Sequence, residues 1–219
     1  MTVIFETIRS KKGETMQPLT NAPRPRGRPR GFKIDQALDA AVHVFWQEGY
    51  NGASIDRLCR ETEMPRASLY QEYGGKEGLF LAAIAHYVET RLGPVAQSLG
   101  PVGTLEEDLT AFFEAVVTLA TLDSRTPGCL ISCVLAEVAG ANGTFRQELK
   151  TRFAALEDRI AQRLEHDGIG VEPKDQTALA GMLAAIARGI MLRARSGASS
   201  ADLHPIAEAA VQCAIARGR

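Results

Sequence analysis

The side chains with the most evident chemistry fall between residues 24 and 76, and that chemistry is recognition of a polyanion. From Arg24 to Lys33 there are five basic residues and no acidic one. This is a local footprint for phosphate contact, in a chain whose 25 Lys+Arg against 26 Asp+Glu leave a formal net charge of −1. Within the run, Pro25-Arg26-Gly27-Arg28-Pro29 matches the core of an AT-hook. A slim Arg-Gly-Arg backbone enters a narrow minor groove, where the guanidinium groups of Arg26, Arg28 and Arg30 meet an enhanced negative potential. The prolines keep the segment extended. The competing reading is a generic basic tail with no groove preference.

Residues 54–70 have helix-turn-helix form: a short helix, a tight connection near Thr62–Met64, and a second short helix. Such a unit sets the N-terminal half of its second helix in the major groove. That helix offers Arg66, Ala67, Ser68, Tyr70 and Gln71. Arg66 suits bidentate pairing with a guanine edge, Ser68 a base or a phosphate, and Ala67 a thymine methyl. Ser54 stands at the start of the first short helix. Lys76 opens the next helix, where its ammonium and the leading backbone N–H groups suit a phosphate. On its own the pattern also fits a plain helical hairpin in a bundle; the arginine arm beside it favours DNA.

The elements that must hold these groups are helical. Strand-like alternation is scarce, and Ala, Leu, Glu and Arg dominate beyond Phe32. The spacing of Leu38, Ala41, Val42, Phe45 and Trp46 predicts a helix over 34–48, stopped by Gly49. A short helix from Ser54, another from Pro65 to about residue 72, and a fourth over 76–92 follow. After breaks at Gly93-Pro94 and Gly100–Gly103, longer helices are expected over 105–122, 128–139, 144–166 and 174–196, with a last one over 201–217. The expected organisation is a flexible segment, 1–31, carrying the basic arm; a DNA-reading domain, 32–75; and an all-α sensing and dimerising domain, 76–219.

Composition is that of an ordinary globular chain, with 45% apolar and 23% charged residues. No secretory h-region is evident near the N-terminus. The longest apolar stretch, Ala178 to Ala187, ends at Arg188 and is too short to span a bilayer. Four cysteines without disulfide-framework density suit a reducing cytoplasm. No HExxH, GxSxG, P-loop or dinucleotide fingerprint is present, so no enzyme and no cofactor are expected.

In the long second half, Phe112, Phe113, Phe153, Tyr87 and Met191 are candidates to line an apolar ligand pocket, or else ordinary core. Cys129 and Cys133 lie four apart and share a helix face. They read either as a thiol or soft-metal sensor or, the favoured reading, as small core residues. For metal, His43, His86, His166 and His204 have no suggestive spacing to the pair. Gly181, Ala185 and Gly189 recur every four residues, a small-residue face fit for close helix approach between two subunits, or within one. A dimer would set two recognition helices ~34–36 Å apart and demand a nearly palindromic site. An architectural A·T-rich DNA binder is the alternative from another class.

Arg28-Pro-Arg-Gly-Phe32, Phe45-Trp-Gln-Glu-Gly-Tyr50, Ser54-Ile55, Ser68-Leu-Tyr70 and Gly75-Lys-Glu-Gly-Leu-Phe80 together resemble the N-terminal domain of the tetracycline-repressor (TetR) family. Gly128-Cys-Leu130, Gly189 and Ala194-Arg195-Ser-Gly197 resemble one of its subgroups more weakly. The resemblance implies an all-helical homodimer of about nine helices per chain, with three binding an operator and the rest binding a small-molecule effector that releases it. It also implies that Ser68, Tyr70 and Lys76 occupy DNA-contact positions, with Tyr70 on a phosphate. Two positions depart from the family pattern. Ala53 replaces the usual threonine that caps the second helix, which leaves Ser54 or a backbone N–H to serve. Glu72 stands where a neutral or basic residue is usual.

Overall fold

Nine helices and no strand make up the described residues, 33–168 and 173–217, of a computed structural model. The segment 1–31 with Arg26, Arg28 and Arg30 lies outside them. Helix α1 (Ile34–Gly52) leaves helical geometry at Gly49, as its sequence predicts, and buries Ala37, Ala41, Val42, Phe45 and Trp46. Ser54 caps α2 (Ile55–Glu61), its hydroxyl accepting the Arg57 N–H at 3.1 Å. Ala53 is fully buried, so the capping role has moved one residue along. α3 (Arg66–Tyr73) buries Leu69. The turn into the next helix is so tight that a Cβ at Gly78 would stand 1.8 Å from the Tyr73 carbonyl oxygen. Only glycine permits that approach.

α4 begins with Lys76–Tyr87, widens into a π turn over Val88–Leu92, and continues through Gly93–Gln97. The break expected at Gly93-Pro94 is therefore absent. Proline lacks an N–H and crowds the carbonyl one turn back. The π turn, in which the Gly93 N–H reaches the Val88 carbonyl, opens that spacing and lets the helix run on. α5 (Leu105–Thr121) starts with a capping box between Thr104 and Glu107.

α6 comprises a π turn, Ile131–Leu135, and Ala136–Ala139. It starts later than the expected residue 128. Gly128 adopts φ 89°, and a Cβ there would lie 2.7 Å from the Met191 carbonyl oxygen. The residue thus works as a close-approach hinge against α8 and not as a first helical turn. Asn142 caps α7 (Gly143–His166). α8 (Pro173–Arg195) and α9 (Ser200–Arg217) complete the chain.

The buried apolar side chains form one continuous cluster from α1 to α9, passing without interruption through α4. α5 packs on α8 and α9, α7 on α8 and α6, and α1 on α4. A buried ion pair lies inside. Arg163 of α7 is fully buried, its Nε donating to Asp108 of α5 at 2.8 Å and its Nη1 lying 3.1 Å from Asp167. Asp108 also accepts the N–H groups of Val102 and Gly103, each at 3.1 Å. Arg163 donates to the Gly103 carbonyl at 3.2 Å. The clamp therefore fixes the loop that follows α4 to both α5 and α7.

The apolar stretch of α8 is longer than the sequence pattern suggests. An 18-residue window within Asp175–Arg195 has mean hydropathy 1.4, long and apolar enough to cross a bilayer on those criteria alone. Its Leu179, Leu183, Ala187 and Ile190 are instead core residues. Gly181, Ala185 and Gly189 lie on the face away from that core, with Ala185 exposed. Among the described residues nothing stands within 4 Å of a Cβ built at Gly181 or Gly189.

Candidate nucleic-acid interface and ligand cavity

α3 presents one surface to solvent. Arg66, Ala67, Tyr70 and Gln71 are exposed, Ser68 is half-buried, and Leu69 anchors the opposite side. The arrangement follows from sequence: one buried leucine in an eight-residue helix leaves the rest of the perimeter free. Tyr70 is 50% exposed, so its phenol is available to a phosphate. Arg66 forms a solvent-exposed ion pair with Asp56 of α2 at 3.3 Å, a contact weak enough to exchange for a base or phosphate. Glu72 is also exposed on this helix.

The groups expected to grip phosphate on either side of α3 differ in readiness. The Ser54 hydroxyl already accepts from Arg57 N and keeps its own proton to donate. Lys76 is half-buried. Its ammonium lies 4.6 Å over the Tyr50 ring and 3.4 Å from the Asn51 carbonyl oxygen, and burial lowers its pKa. The Lys76 side chain thus ties α4 to the end of α1, while Gly75 at the start of α4 supplies no side-chain cap to its first turn. Sequence reasoning passed over Arg57 and Arg60 of α2. The first is held by Glu48 at 3.1 Å and Glu61 at 3.2 Å, the second by Glu61.

Behind this surface an aromatic seam joins α1 to α4 and α7. Phe145 packs edge-on against Tyr50 and Phe80, with ring centroids 4.8 and 5.2 Å away. Trp46 meets Tyr87 edge-on at 5.0 Å and donates its indole N–H to the Pro127 carbonyl at 3.3 Å. Arg195 of α8 donates to the Trp46 carbonyl at 3.2 Å. Tyr87 is buried, and its phenolic pKa is pushed well up, first by desolvation and then by the neighbouring Cys129.

A cavity of about 200 Å³ opens between α4, α5, α6, α7 and α8. It brings together Phe112, Cys129, Phe153 and Met191, as the sequence led us to expect. Tyr87, Phe113 and Cys133 fall outside it. Tyr87 lines a separate cleft with Asp39, His43 and Trp46, Phe113 turns into the core beside Phe112, and Cys133 lies by Gly128. A residue one position along a helix points about 100° away, and sequence spacing does not resolve which of two adjacent apolar residues faces a cavity. Nothing in the sequence pattern singles out three arginines that line the cavity, Arg152, Arg159 and Arg188, nor the π turn that contributes Val88 and Leu92. Burial raises the Cys133 thiol pKa, which opposes thiolate chemistry there. Among the described residues no group of three or more His, Cys, Asp or Glu is placed to hold a metal.

An exposed recognition helix behind a tight turn, backed by a helical body with an internal cavity, defines a helix-turn-helix regulator of DNA. Two family descriptions match the chain: bacterial regulatory proteins of the tetR family over residues 37–83, and the LmrA/YxaF-like transcriptional regulator C-terminal domain over residues 106–209. The chain is similar to the HTH-type transcriptional repressor ComR of Escherichia coli (strain K12), with 33% identity over 84% of this chain and 90% of that protein. It is also similar to the repressor BdcR of the same organism, with 26% identity over 82% and 88%. Among solved structures, the TetR family regulator CifR, a cysteine mutant complexed with 26-base-pair double-strand operator DNA, superposes with a TM-score of 0.75 at 28% identity, covering 84% of this chain and 98% of that one. The chain belongs to the TetR family. It is a DNA-binding transcriptional regulator and not an enzyme, and neither the thiol or metal sensor nor the architectural A·T-rich binder is favoured.

Proposed function

We propose that this chain is a cytoplasmic, homodimeric repressor that holds a nearly palindromic operator and lets it go when a small molecule fills the cavity between α4 and α8. Residues up to 75 read DNA, and residues from 76 onward sense and dimerise. Arg66, Ala67, Ser68, Tyr70 and Gln71 face the major groove, Ser54 and the α4 N-terminus with Lys76 bind phosphate, and Arg26, Arg28 and Arg30 enter the minor groove. The faces carrying Gly181, Ala185 and Gly189 meet across the dimer axis. No cofactor and no membrane are involved.

One observation supports the coupling above all. The short segment from Pro127 to Ile131 touches both ends of the switch. Cys129 and Ile131 wall the cavity, while the Pro127 carbonyl accepts from Trp46 of α1. A ligand that prefers one setting of this segment thereby prefers one setting of α1, and only such a difference in affinity can shift DNA binding.

The test is selection of bound DNA from a random pool by the full chain, followed by operator-release titrations with candidate ligands. One protected near-palindrome that a ligand releases supports the proposal. Broad A·T-rich protection without a palindrome, or release by no ligand that binds the protein, refutes it.

A further inference from the structure

The cavity wall carries more positive charge than an apolar ligand needs. Three arginines line it, and two are matched by carboxylates of α7. Arg152 pairs with Glu148 at 2.7 Å. Arg188 pairs with Glu157 at 2.9 Å, donates to the Phe153 carbonyl at 2.9 Å, and stacks 3.9 Å over the Phe153 ring. Arg159 differs. It lines the same cavity, is half-buried, and donates to the Gly100 carbonyl, but forms no ion pair among the described residues. The nearby carboxylate of Asp108 is already engaged by Arg163 and two backbone N–H groups. One lining arginine is thus left without a carboxylate partner among the described residues, while Leu92, Phe112, Val116 and Met191 supply an apolar interior. A partly buried charge without a counter-charge carries part of the desolvation cost of a buried one, and an anionic ligand relieves that cost where a neutral one does not.

Resting on the reading that this cavity holds the effector, we propose that the effector is an amphipathic carboxylate. Its apolar chain or ring lies among Leu92, Phe112, Val116 and Met191, and its carboxylate meets the guanidinium of Arg159. Planar fork geometry suits Arg159 to bidentate carboxylate pairing. The π turn of α4 forms part of the same wall through Val88 and Leu92, so the ligand would bear directly on the helix that carries the DNA-reading domain.

Isothermal titration of the full chain with decanoate and with decan-1-ol, matched in chain and differing in head, tests this. Decanoate should bind at least tenfold tighter, about 1.4 kcal/mol. In R159Q the two ligands should bind within about twofold of each other, a gap of under about 0.5 kcal/mol, and R159K should restore a preference for the acid. Equal binding of acid and alcohol to the unmodified protein overturns the charge inference but leaves the cavity as an effector site. Binding of neither overturns both. Undiminished preference for the acid in R159Q overturns the assignment to Arg159. Because the acid–alcohol comparison is made on the unmodified protein, it decides the charge question even if R159Q fails to fold.

Discussion

Replacing Asp108 with asparagine should expose how much the post-α4 loop depends on one buried charge. Three donors converge on the Asp108 carboxylate: Arg163 Nε at 2.8 Å and the N–H groups of Val102 and Gly103 at 3.1 Å. Asparagine preserves the shape but offers a single acceptor oxygen, so its amide N–H₂ must face at least one donor. The Arg163 guanidinium, fully buried, then keeps only the partly exposed Asp167 as counter-charge. Breaking one side of a buried ion pair costs about 3–5 kcal/mol. The retained acceptor and Asp167 place D108N near the lower end, at about 3 kcal/mol. At about 2–4 °C per kcal/mol for a chain of this size, Tm should fall by about 6–12 °C.

The pH dependence carries a definite sign. Burial alone would raise the Asp108 pKa, but the hydrogen bonds from Arg163, Gly103 and Val102 outweigh it and hold the carboxyl below its ordinary value. A carboxyl depressed on folding stabilises above its unfolded pKa, and that contribution disappears as pH falls through the folded value. The Tm gap between the unmodified protein and D108N should therefore be full at neutral pH and shrink in acid. Thermal unfolding followed by circular dichroism at fixed protein concentration measures both effects, since oligomerisation makes Tm concentration-dependent. A loss below about 2 °C at neutral pH, or a gap that stays constant into acid, would refute the reasoning.

Three further outcomes follow from the same geometry. S54A removes the oxygen that accepts the Arg57 N–H and should cost about 1 kcal/mol, seen as a Tm lower by about 2–4 °C; an unchanged Tm would mean that the cap contributes nothing. G189R should leave the single chain folded, because nothing lies within 4 Å of a Cβ there, yet yield monomers in light scattering; a dimer of normal mass would remove Gly189 from the proposed contact. Replacing Arg26 and Arg28 together with alanine should weaken operator binding and flatten the slope of log affinity against log salt by about 1–2; an unchanged slope would detach the arm from DNA.

Much of this protein is written in local sequence. The helices of the DNA-reading half announce themselves because each rests on short-range physics: the apolar spacing of α1, the Gly49 stop, Ser54 as the nearest hydroxyl to a helix start, and the glycines around α4. Exposure of Arg66, Tyr70 and Gln71 was equally legible, since a short helix with one buried leucine has few ways to face. Gly93-Pro94 misled because a proline's effect depends on whether the preceding turn can widen, and the π turn of Val88–Leu92 provides that.

The sensing half depended on the tertiary structure. There adjacent apolar residues compete for the same interior, so a residue's neighbours are set by which helices meet and at what rotation, and not by its spacing in the chain. That is why Phe112 lines the cavity while adjacent Phe113 does not, and why Cys129 lines it while Cys133 does not. Arg152, Arg159 and Arg188 look like surface charges in sequence; packing of α7 against α8 turns them onto a cavity wall. Sequence alone thus determined that the chain is helical and carries a DNA-reading end, because those properties are local. Only the folded packing decided where a ligand fits and which charges meet it, because those depend on residues far apart in the chain.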